Sequence, residues 1–417
     1  MRYQPLPSSF HTANRQKLAS AIGPGAVAII DTADVLRRPG DFEHPFRPDS
    51  NFYYLTGIDE PDAVLVLAPG HPNKKLREVL FLRETSDFIA LWAGRRLTQK
   101  AGSERSGIPT VMWLSELENV LSRALARVKT VYLNADFTLE DGPLDPSQRR
   151  AAALRTQLPL HELFTAAPIL SDLRTIKTSE EVSQIRRAIE MTGRGLTKAW
   201  RAMKSGLPEY ALEAELTAEF TRQGATGSAF GAIIAAGKNA TVIHYATGDA
   251  TLAGGDLVLF DVGAEAGYYA ADISRTVPAS GTFTPRQRAI YQAVYSAQQA
   301  GIKLHRPGAT ILSIDAHMRT VLAAELPKLG LTGELNEYYP HISHHLGLDV
   351  HDTGDADLEL APGMVVTCEP GLYIPKEGIG VRLEDVVLIT ETGYEVLSAG
   401  IPSAPDAIEA AIDRLVS

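Results

Sequence analysis

The chain has 417 residues, a formal net charge of −10 and 22% charged residues. That length favours two domains over one core, and that charge excludes a nucleic-acid binder, which needs a basic face. No apolar run reaches the ~18 residues of a membrane span, the opening MRYQPLPSSFHTANRQ lacks the apolar stretch of a secretory signal, and the single cysteine, Cys368, permits no intrachain disulfide.

A soluble, cytoplasmic protein is therefore expected. Residues 1–165 alternate strand-like and helix-like patterns. Short β-rich runs stand at 25–30, 63–67, 79–82 and 130–133. Before the last of them, Leu117, Leu121, Leu125 and Val128 recur at helical spacing after Ser115, an N-cap candidate. The pattern predicts a smaller α/β domain of helices packed on a sheet, with no catalytic set of its own. Trp92, in LWAGRRL, is a candidate for a subunit contact, with a core position as the alternative. Residues 165–175 show no period and read as a linker, which puts the second domain at 176–417.

That domain opens with a helix start. Thr178-Ser179-Glu180-Glu181 has capping-box spacing, and Val182, Ile185 and Ile189 supply an apolar stripe. Thr284-Pro285-Arg286-Gln287 repeats the signal, with proline at the first helical position. Each start leads to a basic-plus-glycine turn (Lys204-Ser205-Gly206, then Arg306-Pro307-Gly308) and a second helical segment. Strands follow each pair, at 257–260 and 272–277 in the first half and at 364–368 and 381–390 in the second. The expected fold class is α+β, a duplicated helix–helix–sheet unit behind the α/β domain.

Metal-ligating side chains gather on the strand-like segments of both halves. Asp261 and Asp272 flank the small residues of LVLFDVGAEAGYYAADISRT, where a hairpin would bring both carboxylates to one face. Singly, each reads equally well as a turn or strand-end aspartate. The apolar run 257–260 leading into Asp261 shifts the balance, because a carboxylate at the inner end of a buried strand is costly unless paired or coordinated. His341, His344, His345 and His351 crowd into PHISHHLGLDVHD, four of the chain's eleven histidines, a density that favours a metal or proton-transfer site. Glu369 follows the apolar run 364–366. Arg382 and Glu384 stand two apart in GVRLEDVVLIT and would share a strand face, a surface ion pair being the plainer alternative. Four carboxylates and one imidazole suit Mn²⁺, Co²⁺, Fe²⁺ or Zn²⁺, with Mn²⁺ favoured by the excess of oxygen. Two divalent ions are the natural count for four negative charges, and two such ions perform hydrolysis.

The chain resembles bacterial aminopeptidase P, in the superfamily of prolidase, methionine aminopeptidase and creatinase. FRPDSNFYYLTGIDEPDAVLVL and LWAGRRL are similar to that family's non-catalytic domain. DVGAEAGYYAADISRT, SHHLGLDVHD, EPGLY and VRLED match its metal-ligand motifs in order. The resemblance implies a pita-bread catalytic domain in which Asp272 and Glu384 bridge both ions, His344 and Glu369 hold one, and Asp261 holds the other. It implies that His244, in VIHYAT, lies near the substrate's N-terminal side and that His351 steadies the scissile carbonyl. Arg382 and Tyr373 would line the same site. The family spaces an accessory histidine four residues before the metal histidine. Here His341 lies three before His344, which leaves His341 only a supporting, substrate-side role and makes His345 the alternative ligand. The implied activity is release of the N-terminal residue from peptides with proline second, by attack of a metal-bridging hydroxide, with Glu369 carrying the proton. A homodimer or homotetramer is expected, and neither nucleic acid nor membrane as partner. Prolidase action on Xaa-Pro dipeptides is the enzymatic alternative. A catalytically dead peptide- or protein-binding module is the alternative of another class.

Overall fold

The computed structural model describes residues 3–135, 143–339 and 343–416. It divides into two compact units, one of residues 5–173 and one of residues 1–4 with 174–417.

In the first unit six strands form one sheet: β1 (Ala26–Asp31), β2 (Val64–Leu67), β3 (Glu78–Leu82), β4 (Val111–Trp113), β5 (Thr130–Leu133) and β6 (Glu162–Thr165), in the order β4-β3-β2-β1-β5-β6. Only β2 runs antiparallel to its neighbours, and the other pairs are parallel. Parallel pairs require crossovers. Helices at Leu117–Leu125 and Pro146–Gln157 supply two of them, burying Leu117, Leu121, Leu125 and Leu154 with Val27, Ile29, Val66, Phe81 and Val131. Ser115 does not cap the first of these helices. Its hydroxyl donates to Glu84 Oε1 instead, and Leu114–Glu116 forms a 3-10 turn ahead of the helix. Val128 falls beyond the helix end. Residues expected as a linker form the Ala167–Thr175 helix, whose 9 residues are too few for its period to stand out. Trp92 is not a core residue. It is exposed beside Phe88 and Leu91 on the Asp87–Ala93 helix.

The second unit contains two helix pairs, Ser179–Ala202 with Glu209–Arg222 and Pro285–Ile302 with Ile311–Glu325. Both leading helices carry complete capping boxes, at Thr178/Glu181 and Thr284/Gln287. Each satisfies two otherwise orphaned amide groups at a helix start. After the first pair come β7 (Gly227–Ser228), β8 (Ile233–Ala236), β9 (Leu257–Val262), β10 (Ala264–Ala266), β11 (Tyr269–Ala270) and β12 (Ile273–Pro278). After the second come β13 (Val365–Cys368), β14 (Gly371–Ile374), β15 (Ile379–Arg382), β16 (Asp385–Thr390) and β17 (Gly393–Val396). They form short sheets ordered β11-β10-β7, β12-β9-β8, β13-β16-β17 and β14-β15.

Two local features position the site. β10 and β11 form a hairpin whose two-residue turn, Gly267-Tyr268, has positive φ at both residues (56° and 70°). That matches the twist of the flanking strands and returns the chain so that Ser274 of β12 faces Asp261 of β9. Residues 381–390, expected as one strand, are broken at Leu383-Glu384. The chain leaves the β14 ladder at Arg382 and joins the β13 ladder at Asp385. Arg382 and Glu384 therefore do not share a face by simple alternation. Among the described residues no helix is long and apolar enough to cross a membrane.

Candidate active site

The carboxylates stand where strands begin or end. Asp261 lies on β9, and Asp272 immediately precedes β12. Gly263 makes this approach feasible, since a Cβ there would lie 1.8 Å from Ala271 O. Glu369 follows β13, and Glu384 sits in the break before β16. Because Cys368 pairs with Asp385, Glu369 and Glu384 face each other one step beyond the ladder. His344 arrives along β13. Its N–H donates to Thr367 Oγ1 at 3.0 Å and its carbonyl accepts from Thr367 N–H at 2.8 Å.

These elements bring Asp272, His344 and Glu384 together, with one potential ligand atom from each within 4.8 Å of the others. His344 Nε2 lies 3.4 Å from Asp272 Oδ2 and 3.3 Å from Glu369 Oε1. Its Nδ1 is 2.9 Å from the His345 carbonyl. A proton held there fixes the tautomer that turns a lone pair at Nε2 toward the carboxylates.

Among the described residues Asp261 Oδ1, Asp272 Oδ1 and Glu384 Oε1 are buried with no hydrogen-bond partner. Burial pushes Asp272 well above the usual carboxylate range, and the Asp261 and Glu369 charges push it further. Glu384 is raised likewise, by burial and then by Asp272. Among the described residues the buried cation beside these carboxylates is Arg382, which bonds Asp261 Oδ2, Tyr373 Oη (2.8 Å) and Ser274 Oγ (2.8 Å). Burial opposes the Arg382 charge most strongly, but Asp261, Tyr373, Glu369 and Glu384 together outweigh it and the group stays well above its usual value. Tyr373 is pushed up to about 12 by burial, against the opposing effect of Arg382. Buried, unpartnered, mutually repelling oxygens with a facing imidazole lone pair are the donor set of a divalent-cation centre. The residues fit.

His351 stands edge-on to His344, ring centroids 4.4 Å apart. Its pKa is lowered by burial and then by His344. His244 is exposed on the 237–250 connection. His345 turns elsewhere. Its ring packs so tightly on Gly354 that a Cβ there would lie 2.6 Å away. Burial, then the Lys177 charge, lowers its pKa to about 4. His341 lies outside the described residues.

Three supporting residues carry no mark in the sequence reading. Ser274 Oγ donates to Glu384 Oε2 at 2.9 Å while accepting from Arg382. Thr367 Oγ1 donates to Glu369 Oε1 at 2.9 Å. Arg275, fully buried, binds the Ser274 and Glu384 carbonyls and Asp385 Oδ1 (2.9, 2.5 and 2.7 Å), clamping the Glu384 break to β12. Only Arg275 left a signal, as a charge within a strand of otherwise apolar or small residues.

The profile of Metallopeptidase family M24 matches residues 183–391, and that of the Aminopeptidase P N-terminal domain matches residues 11–132. The chain belongs to metallopeptidase family M24. This M24 chain is 36% identical to the Xaa-Pro aminopeptidase of Escherichia coli K12 over 95% of its own length and 96% of that protein's. It superposes on a putative aminopeptidase P from Bacillus anthracis with a TM-score of 0.94, at 36% identity, covering 98% of this chain and 99% of the other. Zinc-substituted E. coli aminopeptidase P in complex with product gives a TM-score of 0.90 at 33% identity, covering 99% of both chains. The fold is thus an aminopeptidase P N-terminal domain followed by a pita-bread domain, and the M24 chain is a metal-dependent aminopeptidase.

Proposed function

We propose that this M24 enzyme is an Xaa-Pro aminopeptidase that removes the first residue from peptides with proline second. The observation that carries the reading is the buried Asp272–His344–Glu384 cluster, with its unpartnered oxygens, in a chain similar along its length to an Xaa-Pro aminopeptidase. Asp261, Asp272, His344, Glu369 and Glu384 would hold two divalent ions, Mn²⁺ by preference for an oxygen-rich set. Bound there, such ions supply Lewis acidity and a water acidic enough to attack at neutral pH.

Glu369, oriented by Thr367, takes the proton of the attacking water and delivers it to the leaving proline nitrogen. His351 donates to the oxygen that gains charge on the scissile carbonyl. Arg382, held between Asp261 and Tyr373, aims the Asp261 carboxylate. His244 and Tyr373 line the peptide's path, and His341 is a further substrate-side residue. Proline offers no amide N–H, so a pocket that fits the ring without an acceptor for that group selects it. Residues 1–165 act as the non-catalytic domain and 176–417 as the catalytic one. The enzyme works in the cytoplasm as a homodimer or homotetramer, with the exposed Phe88, Leu91 and Trp92 face as the candidate contact.

The test is release of the first residue from Xaa-Pro-Yaa, Xaa-Ala-Yaa and Xaa-Pro. Replacing proline by alanine is expected to lower kcat/KM at least about tenfold, ~1.4 kcal/mol of transition-state binding. Equal cleavage of Xaa-Ala-Yaa would contradict the proline specificity. Activity confined to the dipeptide would make the enzyme a prolidase.

A further inference from the structure

Glu209 is the first residue of the Glu209–Arg222 helix and is fully buried. It takes no part in the carboxylate cluster and makes no ion pair among the described residues. Both its oxygens are saturated by one stretch of chain. Oε1 accepts from Ala236 N–H (2.7 Å) and Asn239 Nδ2 (3.1 Å), and Oε2 accepts from Tyr245 Oη (2.9 Å) and Ala250 N–H (3.1 Å). Asn239 Nδ2 also donates to Tyr245 Oη at 2.9 Å. A buried carboxylate without a cation is tolerated only when hydrogen-bonded in this way.

The four donors span residues 236–250, so the connection leaving β8 is folded around this one carboxylate. Backbone bonds from Glu209 N–H to Ala250 O and from Tyr210 N–H to Gly248 O, both 2.9 Å, close the same end. On its other side the connection meets β15, where a Cβ on Gly380 would lie 1.9 Å from Ala240 O. It is thus wedged between the Glu209 helix start and the strand that ends in Arg382. His244 lies within it. Ile243 and Tyr245 pack inward against the Ile233, Leu259 and Tyr373 cluster, while His244 stays exposed.

We infer that Glu209 is the positioning residue for His244, setting peptide affinity while touching neither the peptide nor the metal ligands. The inference rests on the reading that His244 meets the peptide. Glu209→Gln replaces one acceptor oxygen with an amide NH₂ that cannot accept, which breaks two of the four bonds. Tyr245→Phe removes a single donor.

The experiment measures KM and kcat for an Xaa-Pro-Yaa peptide, with bound Mn²⁺ per chain, in Glu209→Gln, Tyr245→Phe, His244→Ala and the Glu209→Gln/His244→Ala double variant. Glu209→Gln and His244→Ala should each raise KM about tenfold with kcat held within about threefold. Tyr245→Phe should shift KM less, in the same direction. The double variant should be no worse than His244→Ala alone, since both changes remove one contact. Metal content should match the wild type. If Glu209→Gln lowers the melting temperature but leaves KM at the wild-type value while His244→Ala raises it, Glu209 is a structural post only and the inference is overturned. Additive effects in the double variant overturn it as well. Should Glu209→Gln fail to fold, an unchanged KM in Tyr245→Phe decides against it. A His244→Ala variant with wild-type KM removes the reading of His244 and this inference together.

Discussion

A ring nitrogen can take a cation only where its lone pair is free and other donors face the same point. His344 Nε2 meets both conditions, with Asp272 and Glu369 oxygens at 3.4 and 3.3 Å and its Nδ1 against a carbonyl. The His345 ring is enclosed against Gly354 and reaches no carboxylate of the cluster. His344→Ala is therefore expected to lose bound divalent ions and nearly all turnover. His345→Ala should keep both, while losing about 2–4 kcal/mol of stability to the cavity its ring leaves. Elemental analysis of the purified variants beside their melting curves checks this, and metal loss in His345→Ala alone would reverse the assignment. The charged residues of the cluster are legible in the sequence because carboxylates beside apolar strand runs stand out from their neighbours. Ser274 and Thr367 are not legible. A hydroxyl on a strand is unremarkable until the fold sets it between Arg382 and Glu384, or between the His344 amide and Glu369.

Between the residues and the whole, the site depends on where strands stop. The capping boxes at Thr178 and Thr284 are local signals, so the helix starts are readable from four residues each. The break at Leu383-Glu384 is not local. It arises because β15 and β16 pair with different partners, a long-range fact that the stretch GVRLEDVVLIT does not carry locally. The Ala167–Thr175 helix is obscured for a different reason, too few turns to display a period. The tight connection between β9 and β12 yields a sharper expectation. A methyl group on Gly263 would collide with Ala271 O at 1.8 Å, and backbone cannot swing aside as a side-chain tip can. Gly263→Ala should cost about 1–3 kcal/mol of stability and weaken Mn²⁺ binding, because the strands carrying Asp261 and Asp272 must separate. Calorimetric titration of Mn²⁺ alongside a denaturant melt tests it. Wild-type affinity and stability together would show that the connection tolerates the shift.

Across the whole chain, the duplicated helix pairs are visible in the sequence through paired start signals, although the two halves share few residues. In the proposed centre each half delivers a part, Asp261 and Asp272 from the first and His344, Glu369 and Glu384 from the second, of which Asp272, His344 and Glu384 converge most closely. Neither set makes electrostatic sense alone. Burial and mutual repulsion raise Asp272 and Glu384 above the usual carboxylate range, and added positive charge at the cluster would relieve that repulsion. The central claim is that this charge is two divalent ions on which hydrolysis depends. The most direct measurement is Xaa-Pro-Yaa cleavage by chelator-stripped protein titrated with Mn²⁺, with bound metal counted at each point. The account predicts no turnover in the stripped protein and recovery that saturates at two ions per chain, whereas full turnover in protein free of metal would contradict it.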